Sequence, residues 1–534
     1  MNVAMSRYPY LFVAIMFLTV LAGCGLQGGS PSASGPYAAG PSMPPLEKLP
    51  TNTGLAQVFG PPEAYEGSPL EEVGRQGLFE AHHPKANQIA VLENGDASFA
   101  ARIQLLENAK KSIRIQALIF AGDESGLHIA EILKRKKAAG LDVRVIVDAP
   151  SNLGFQTQWM YFDLKQHDIE VQGYESLYLE WLNEVPIPFL SPARDPEAPD
   201  NRYHEKMWIV DGETDHGTAV TGGLNVANAY FRVNPMDPDE NWRDQDVIVK
   251  GPIVADMVTA FERNFDHFVA IKESRGDLDT DLYWQKTREF LDEVGKLEIP
   301  YTTRSDITER VRKMAQTKPD LKYEHARSRF FHNRPRLGES YIKQAYRKLI
   351  DHAQQEIIIC NAYFIPSIDF VDAIRAAANR GVRVIILSNS PETNDLPAMS
   401  MVGRDSYKDI LAINEEDRTR ENGGRVQIWE WYGRRFDRDR QTEGTIHAKY
   451  AVFDRRYALV GSYNLDPRSE KLNSETAVVF QSEILSAKLA KIFYENDLAY
   501  SRQVTPEDAA EFNEPTDALY KLQKEFGSLF ESEL

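Results

Sequence analysis

His204-Glu-Lys206-Met-Trp-Ile-Val-Asp211 returns 243 residues downstream as His447-Ala-Lys449-Tyr-Ala-Val-Phe-Asp454. One His-x-Lys-x4-Asp match in a chain of 534 residues carries little weight. Here each copy is followed by a second shared segment, Thr221-Gly-Gly-Leu-Asn225 and Gly461-Ser-Tyr-Asn464, which points to duplication. Each motif reads as a strand. His and Lys at alternate positions point to one side, while Glu205 or Ala448 between them points away. Met207–Val210 and Tyr450–Phe453 continue as apolar strands into a core.

Outward from the motifs, the same order of elements occurs twice. The first copy has a helix pattern at Phe99–Ala109, a strand at Ser112–Phe120, a helix at Gly126–Ala139 and a β-branched strand at Gly140–Asp148. The second has Tyr341–Ala353, Glu356–Phe364, Asp369–Asn379 and Gly381–Leu387. Ala109 and Ala353 lie 244 apart and Arg144 and Arg383 lie 239 apart, close to the motif offset. Alternating strands and helices predict an α/β fold of two duplicated lobes. Each lobe is expected to hold a mixed, mostly parallel sheet flanked by helices, with one active site at the lobe interface. The expected divisions are a first lobe over 56–290, a connection over 291–336, and a second lobe over 337–534 that ends in C-terminal helices such as Ser486–Leu498.

Residues 1–23 read as a signal peptide. Leu11–Ala22 is apolar apart from Thr19 and too short for a comfortable membrane span. The run ends in Leu21-Ala22-Gly23-Cys24, similar to a bacterial lipobox, in which Cys24 becomes the lipidated first residue. Residues 24–55 then form anchor and tether, with Gly25–Pro50 rich in Gly, Ser and Pro. The expected location is the periplasmic side of the cell envelope. Gly25, in place of an Asp after the cysteine, leans towards the outer membrane. Cys360, in the apolar run Glu356–Cys360, has no partner left and reads as a buried structural thiol. A net charge of −18 argues against a general nucleic-acid binder.

The motif residues suit phosphodiester chemistry. Two lysines (Lys206, Lys449) and two amides (Asn225, Asn464) neutralise an anionic phosphate. Gly222, Gly461 and Ser462 let backbone and hydroxyl come close. One imidazole attacks phosphorus, and a second, protonated, serves the leaving alkoxide. Each histidine needs an acid on its other ring nitrogen to fix the tautomer. The candidates are Glu475 for the second motif and Asp246, or Asp244, for the first. The chemistry calls for no metal and no cofactor, and the sequence lacks the His and Cys clusters of zinc sites.

With these residues in place, the chain resembles the phospholipase D superfamily over roughly Ser98 to Phe480, and most closely the bacterial cardiolipin synthases of type C. Gly461–Glu475, Trp242–Pro252 and Asn361–Pro366 carry that likeness. The resemblance implies ping-pong transfer through a phosphatidyl-histidine on His204, with His447 as acid/base. Asp211 and Asp454 would then brace strand-end turns. Phosphatidylglycerol would be the acceptor and cardiolipin the product, with phospholipids and a membrane surface as partners and no nucleic acid. A hydrolase using water would carry the same motif residues. A nuclease of the superfamily fits the charge and the anchor less well.

Three further segments stand out. The stretch Ala229–Glu240 lengthens the first copy and would cover the pocket. Arg327, Arg329, Arg334 and Arg336 either steer anionic headgroups or are ion-paired. Trp181–Leu190 either dips into a membrane interface or packs internally.

Overall fold

The computed structural model describes residues 41–46, 53–67, 74–148, 151–152, 154–173, 202–234, 240–275, 301–433 and 443–513. Cys24, the signal segment, most of the tether and Trp181–Leu190 lie outside them.

In the first lobe the chain runs β1 (His82–Leu92), α1 (Gly95–Asn108), β2 (Ser112–Ala117), α2 (Glu124–Ala138), β3 (Asp142–Val147), α3 (Phe155–Gln166) and β4 (Glu170–Gln172). It continues through β5 (Met207–Val210), β6 (Thr218–Gly222), β7 (Trp242–Arg243), β8 (Asp246–Lys250), α4 (Ile253–Arg275) and α5 (Ser305–Ala315). The second lobe repeats the plan with β9 (Glu324–Asn333), α6 (Tyr341–His352), β10 (Glu356–Asn361), α7 (Ile368–Asn379) and β11 (Arg383–Asn389). Three short helices follow, α8 (Pro397–Gly403), α9 (Tyr407–Ala412) and α10 (Asp417–Glu421). Then come β12 (Arg425–Trp431), β13 (Thr445–Ile446), β14 (Lys449–Phe453), β15 (Tyr457–Gly461), α11 (Pro467–Lys471), β16 (Glu475–Gln481), α12 (Glu483–Ile492), β17 (Ser501–Gln503) and α13 (Pro506–Asn513).

Fifteen strands form one sheet, in the order β17-β12-β11-β10-β14-β15-β16-β9-β1-β8-β6-β5-β2-β3-β4. Apart from β17, the order is a palindrome about the antiparallel β9–β1 seam, so the two lobes are related by a pseudo-twofold axis. Within each lobe the three helix-connected strands are parallel, and the motif-bearing strands are antiparallel. Strands β2 and β10 are buried along their whole length because helices cover both faces. One hydrophobic cluster runs through both lobes: Ile89, Met207 and Val247 share it with Ile358, Tyr450 and Val478. Cys360 sits in it, free and buried, and burial pushes its thiol well above the ordinary range.

The segment expected to connect the lobes contains β9, which pairs with both β1 and β16. Its polar composition hides a central strand. Arg329 is fully buried and donates to Val58 O at 2.9 Å and Gly60 O at 2.7 Å. Arg327 lies over Phe59, Arg334 forms a bidentate pair with Glu339, and Arg336 stacks on Tyr203. The four arginines therefore have separate partners and make no common patch.

Candidate active site

The motif histidines lie at the start of antiparallel strands, beside the C-terminal ends of β2 and β10. Met207 pairs with Gln116 and Lys449 with Asn361. What precedes each histidine is bound to the other lobe. Tyr203 bridges to Ser474, and His204 N donates to Ser474 O at 3.0 Å. On the other side of the pseudo-twofold axis, β13 pairs with β7, and His447 N donates to Arg243 O at 2.7 Å.

These crossings deliver the acids. His204 Nδ1 lies 2.9 Å from Glu475 Oε2, and His447 Nδ1 lies 2.7 Å from Asp244 Oδ2. Each motif histidine is thus paired with a carboxylate from the opposite lobe. Glu475 serves the first motif, not the second as expected. Asp244, the residue named as an alternative, serves a histidine, and Asp246 does not. Asp246 instead pairs with buried Arg102 at 2.8 Å and accepts from Ser98 Oγ at 2.6 Å. The reason is geometric: β7 pairs with β13, with Arg243 opposite Ile446, so the residue that follows β7, Asp244, lies beside His447.

All four motif bases are buried. Lys206 Nζ donates to His204 O at 2.6 Å, and Lys449 Nζ to His447 O at 2.5 Å. Burial lowers Lys206 to about 7 and Lys449 to about 8. Burial also holds both histidines well below their ordinary value, and the charges of both lysines add to this. The two half-sites therefore share one electrostatic environment. Burial raises Glu475 and Asp244 in turn. Two serine hydroxyls donate to Glu475, Ser469 at 2.8 Å and Ser462. With Glu475 as acceptor, His204 keeps its proton on Nδ1, which leaves the Nε2 lone pair free.

The remaining expected site residues divide. Asn225 accepts from Ile119 N at 3.1 Å and donates to Tyr230 OH at 2.9 Å, leaving one N–H. The Oδ1 of buried Asn464 has no partner among the described residues. Ser462 was expected on phosphate, but its hydroxyl is committed to Glu475. Gly222 is a packing requirement, because a Cβ there would lie 2.2 Å from Asp246 Oδ1. Asp211 accepts from the backbone N–H groups of Lys110, Lys111 and Ser112. Asp454 does the same for Gln354, Gln355 and Glu356. Both carboxylates pin the start of a parallel strand, and neither approaches a histidine.

Other residues here escaped sequence reasoning. The rings of Tyr230 and Trp242 lie 5.2 and 5.3 Å from that of His447. Tyr230 belongs to the lengthened stretch and meets His447 itself; residues 235–239 of that stretch lie outside the described residues. Tyr363 OH donates to Asp395 Oδ1 at 2.6 Å, with Lys449 Nζ 6.0 Å from its ring. In the first lobe Asp148 is held by Arg202 Nε at 3.0 Å. The two lobes differ at these positions, so comparing the repeats could not have revealed them.

Two buried acid–imidazole pairs, crossed between duplicated lobes around two lysines, define an enzyme with a single two-histidine centre per chain. The chain belongs to the phospholipase D superfamily, as a phosphatidyltransferase of the cardiolipin synthase type. The family model described as cardiolipin synthase, PLD-like domain, matches residues 102–269 and 346–497, one stretch in each lobe and more than half the chain. It is 25% identical to cardiolipin synthase C of Escherichia coli K12 over 439 residues, covering 78% of this chain and 86% of that protein. It is 26% identical to the cardiolipin synthase of Geobacillus thermodenitrificans NG80-2 over 435 residues, covering 80% and 69%. The crystal structure of phosphatidylserine synthase from Haemophilus influenzae Rd KW20 shares the fold, with a TM-score of 0.56 and 18% identity over 84% of this chain and 98% of that one.

Proposed function

We propose that this chain is a membrane-associated phosphatidyltransferase that makes cardiolipin from phosphatidylglycerol and a second phospholipid, through a covalent phosphatidyl-histidine. The observation that carries the reading is the pair of crossed acid–imidazole contacts facing two buried lysines.

The steps follow from those contacts. Lys206 and Lys449 hold the phosphodiester. His204 Nε2 attacks phosphorus, forming the P–N bond as the P–O bond to the headgroup breaks. The electron pair leaves on the headgroup oxygen, and His447 gives that oxygen a proton. Burial and the lysine charges keep both imidazoles neutral, and an arriving phosphate anion offsets the lysines so that His447 can carry the proton it delivers. In the second half, the hydroxyl of phosphatidylglycerol gives its proton to His447 and attacks phosphorus. The P–N bond breaks with its electrons returning to His204.

His204 and His447 are only 7% and 4% exposed, so either acceptor, lipid hydroxyl or water, has to enter the pocket to reach the phosphatidyl-histidine. The Leu21–Cys24 pattern supports a lipid anchor on the periplasmic side, in the outer membrane by preference. The test is to incubate the purified protein with vesicles of phosphatidylglycerol and phosphatidylethanolamine. Cardiolipin is expected. Phosphatidic acid as the sole product would replace the reading with hydrolysis, and His204→Ala is expected to abolish turnover.

A further inference from the structure

Between His204 and Lys206 stands a residue that the reaction does not touch. Glu205 points to the other side of the strand and is fully buried, and its counterpart in the second motif is Ala448. A lone carboxylate in a core is costly unless it is satisfied. Glu205 is bound from three elements. His332 Nε2 on β9 lies 3.1 Å from Oε1, Gln116 Nε2 on β2 donates to Oε2 at 3.1 Å, and Asn264 Nδ2 on α4 donates to Oε1 at 3.3 Å. The hydrogen bond from His332 holds the acid below its ordinary range, and the charge of Arg336 assists. Glu205 is thus a fixed anion, whereas Glu475 and Asp244 are raised by burial.

The covalent step creates a need for that anion. Once phosphorus is bonded to Nε2, and Nδ1 keeps its proton against Glu475, the His204 ring is an imidazolium in a buried pocket. Lys206 and Lys449 destabilise it, while Glu205 and Asp148 favour it. His447 carries a proton only in passing; the position beside it is an alanine, and the anion that favours its charged form is Asp395.

Building on the phosphatidyl-histidine mechanism, we infer that Glu205 is a positioning residue for the nucleophile. Its buried carboxylate, fixed by His332, Gln116 and Asn264, supplies a fixed negative charge that stabilises the His204 imidazolium while it carries the phosphatidyl group.

The test compares Glu205→Gln and Glu205→Asp with the unaltered protein, using phosphatidylglycerol vesicles labelled at phosphate and an alkaline quench that preserves the P–N bond. Glu205→Gln keeps the length and removes the charge, at the cost of turning an N–H towards the Gln116 amide, whose Oε1 already accepts from Asn264 Nδ2 at 3.2 Å. Glu205→Gln is expected to lower kcat about tenfold or more, with KM nearly unchanged, and to reduce the trapped phosphatidyl-enzyme. The acid limb of kcat/KM is expected to move to lower pH, which a merely structural loss would not cause. Glu205→Asp keeps the charge and is expected to retain the trapped intermediate, and this comparison decides the matter if the Gln variant fails to fold. A Gln variant with unchanged kcat, pH limb and intermediate would overturn the inference. If the unaltered protein forms no phosphatidyl-enzyme, the proposed function itself fails.

Discussion

Asp244 and Asp246 are two residues apart and have different duties. Asp246 is the counter-charge of Arg102, which is 1% exposed. Asp246→Asn therefore leaves a buried cation unpaired and is expected to cost about 3–5 kcal/mol of stability. Asp244→Asn removes the acid on His447 Nδ1 and is expected to lower kcat roughly a hundred- to ten-thousand-fold while the protein stays folded. Thermal denaturation and kcat of the two variants, measured side by side, would reverse the assignment if the losses came out exchanged. The lysines give a second residue-scale expectation. Their positive charge must be present to bind phosphate, and burial has lowered Lys206 to about 7 and Lys449 to about 8. As pH rises through 7 to 8 the free enzyme loses those charges, so kcat/KM should fall over that window rather than near the ordinary lysine range. A flat profile from pH 6 to 9 would refute this. The motif residues themselves were legible because their spacing recurs. Their acidic partners were assigned to the wrong histidines, because linear repetition implies pairing within a copy, whereas the pseudo-twofold axis exchanges partners between copies.

At the scale of elements, the site depends on two short crossings, Tyr203 with Ser474 and β7 with β13. Ser474 N donates to Arg202 O at 2.8 Å, just ahead of Glu475. Ser474→Pro deletes that donor and restricts the backbone beside the acid. An expected shift of the order of 1 Å in Glu475 would cost about a hundredfold in kcat with every motif residue intact. Ser474→Ala loses only the hydroxyl that Arg336 contacts and serves as the comparison. Equal kcat for the two variants would show that the crossing does not set the geometry. These crossings are a few residues long and carry no periodicity, so the sequence offered no sign of them. The parallel strands and the helices around them were readable from apolar spacing, and observed boundaries such as Tyr341–His352 and Glu124–Ala138 differ from expectation by a residue or two. Strand β9 was missed because Arg329, Ser328 and His332 are buried polar groups bound to distant partners, which hydropathy cannot register.

For the whole molecule, the question is whether duplicated lobes behave as two units. Chains of this size commonly unfold in stages. Here β1 and β9 join the lobes into one sheet, and a single apolar cluster runs beneath both. Charged contacts cross the seam as well. Arg243 Nε donates to Asp497 Oδ1 at 2.8 Å with both side chains buried, and His332 meets Glu205 in the core. If the first lobe unfolded alone, it would expose the shared cluster and strand Asp497 and Glu475 without Arg243 and His204; if the second did, Glu205 would lose His332, each loss at a cost of several kcal/mol. A half-folded state is therefore less stable than either end state. The chain is expected to unfold in one cooperative transition, with equal calorimetric and van't Hoff enthalpies, and Asp497→Asn should lower the temperature of that single transition without splitting it. Two resolved transitions in the unaltered protein would show that the lobes are held together more weakly than the continuous sheet and the crossed pairs require.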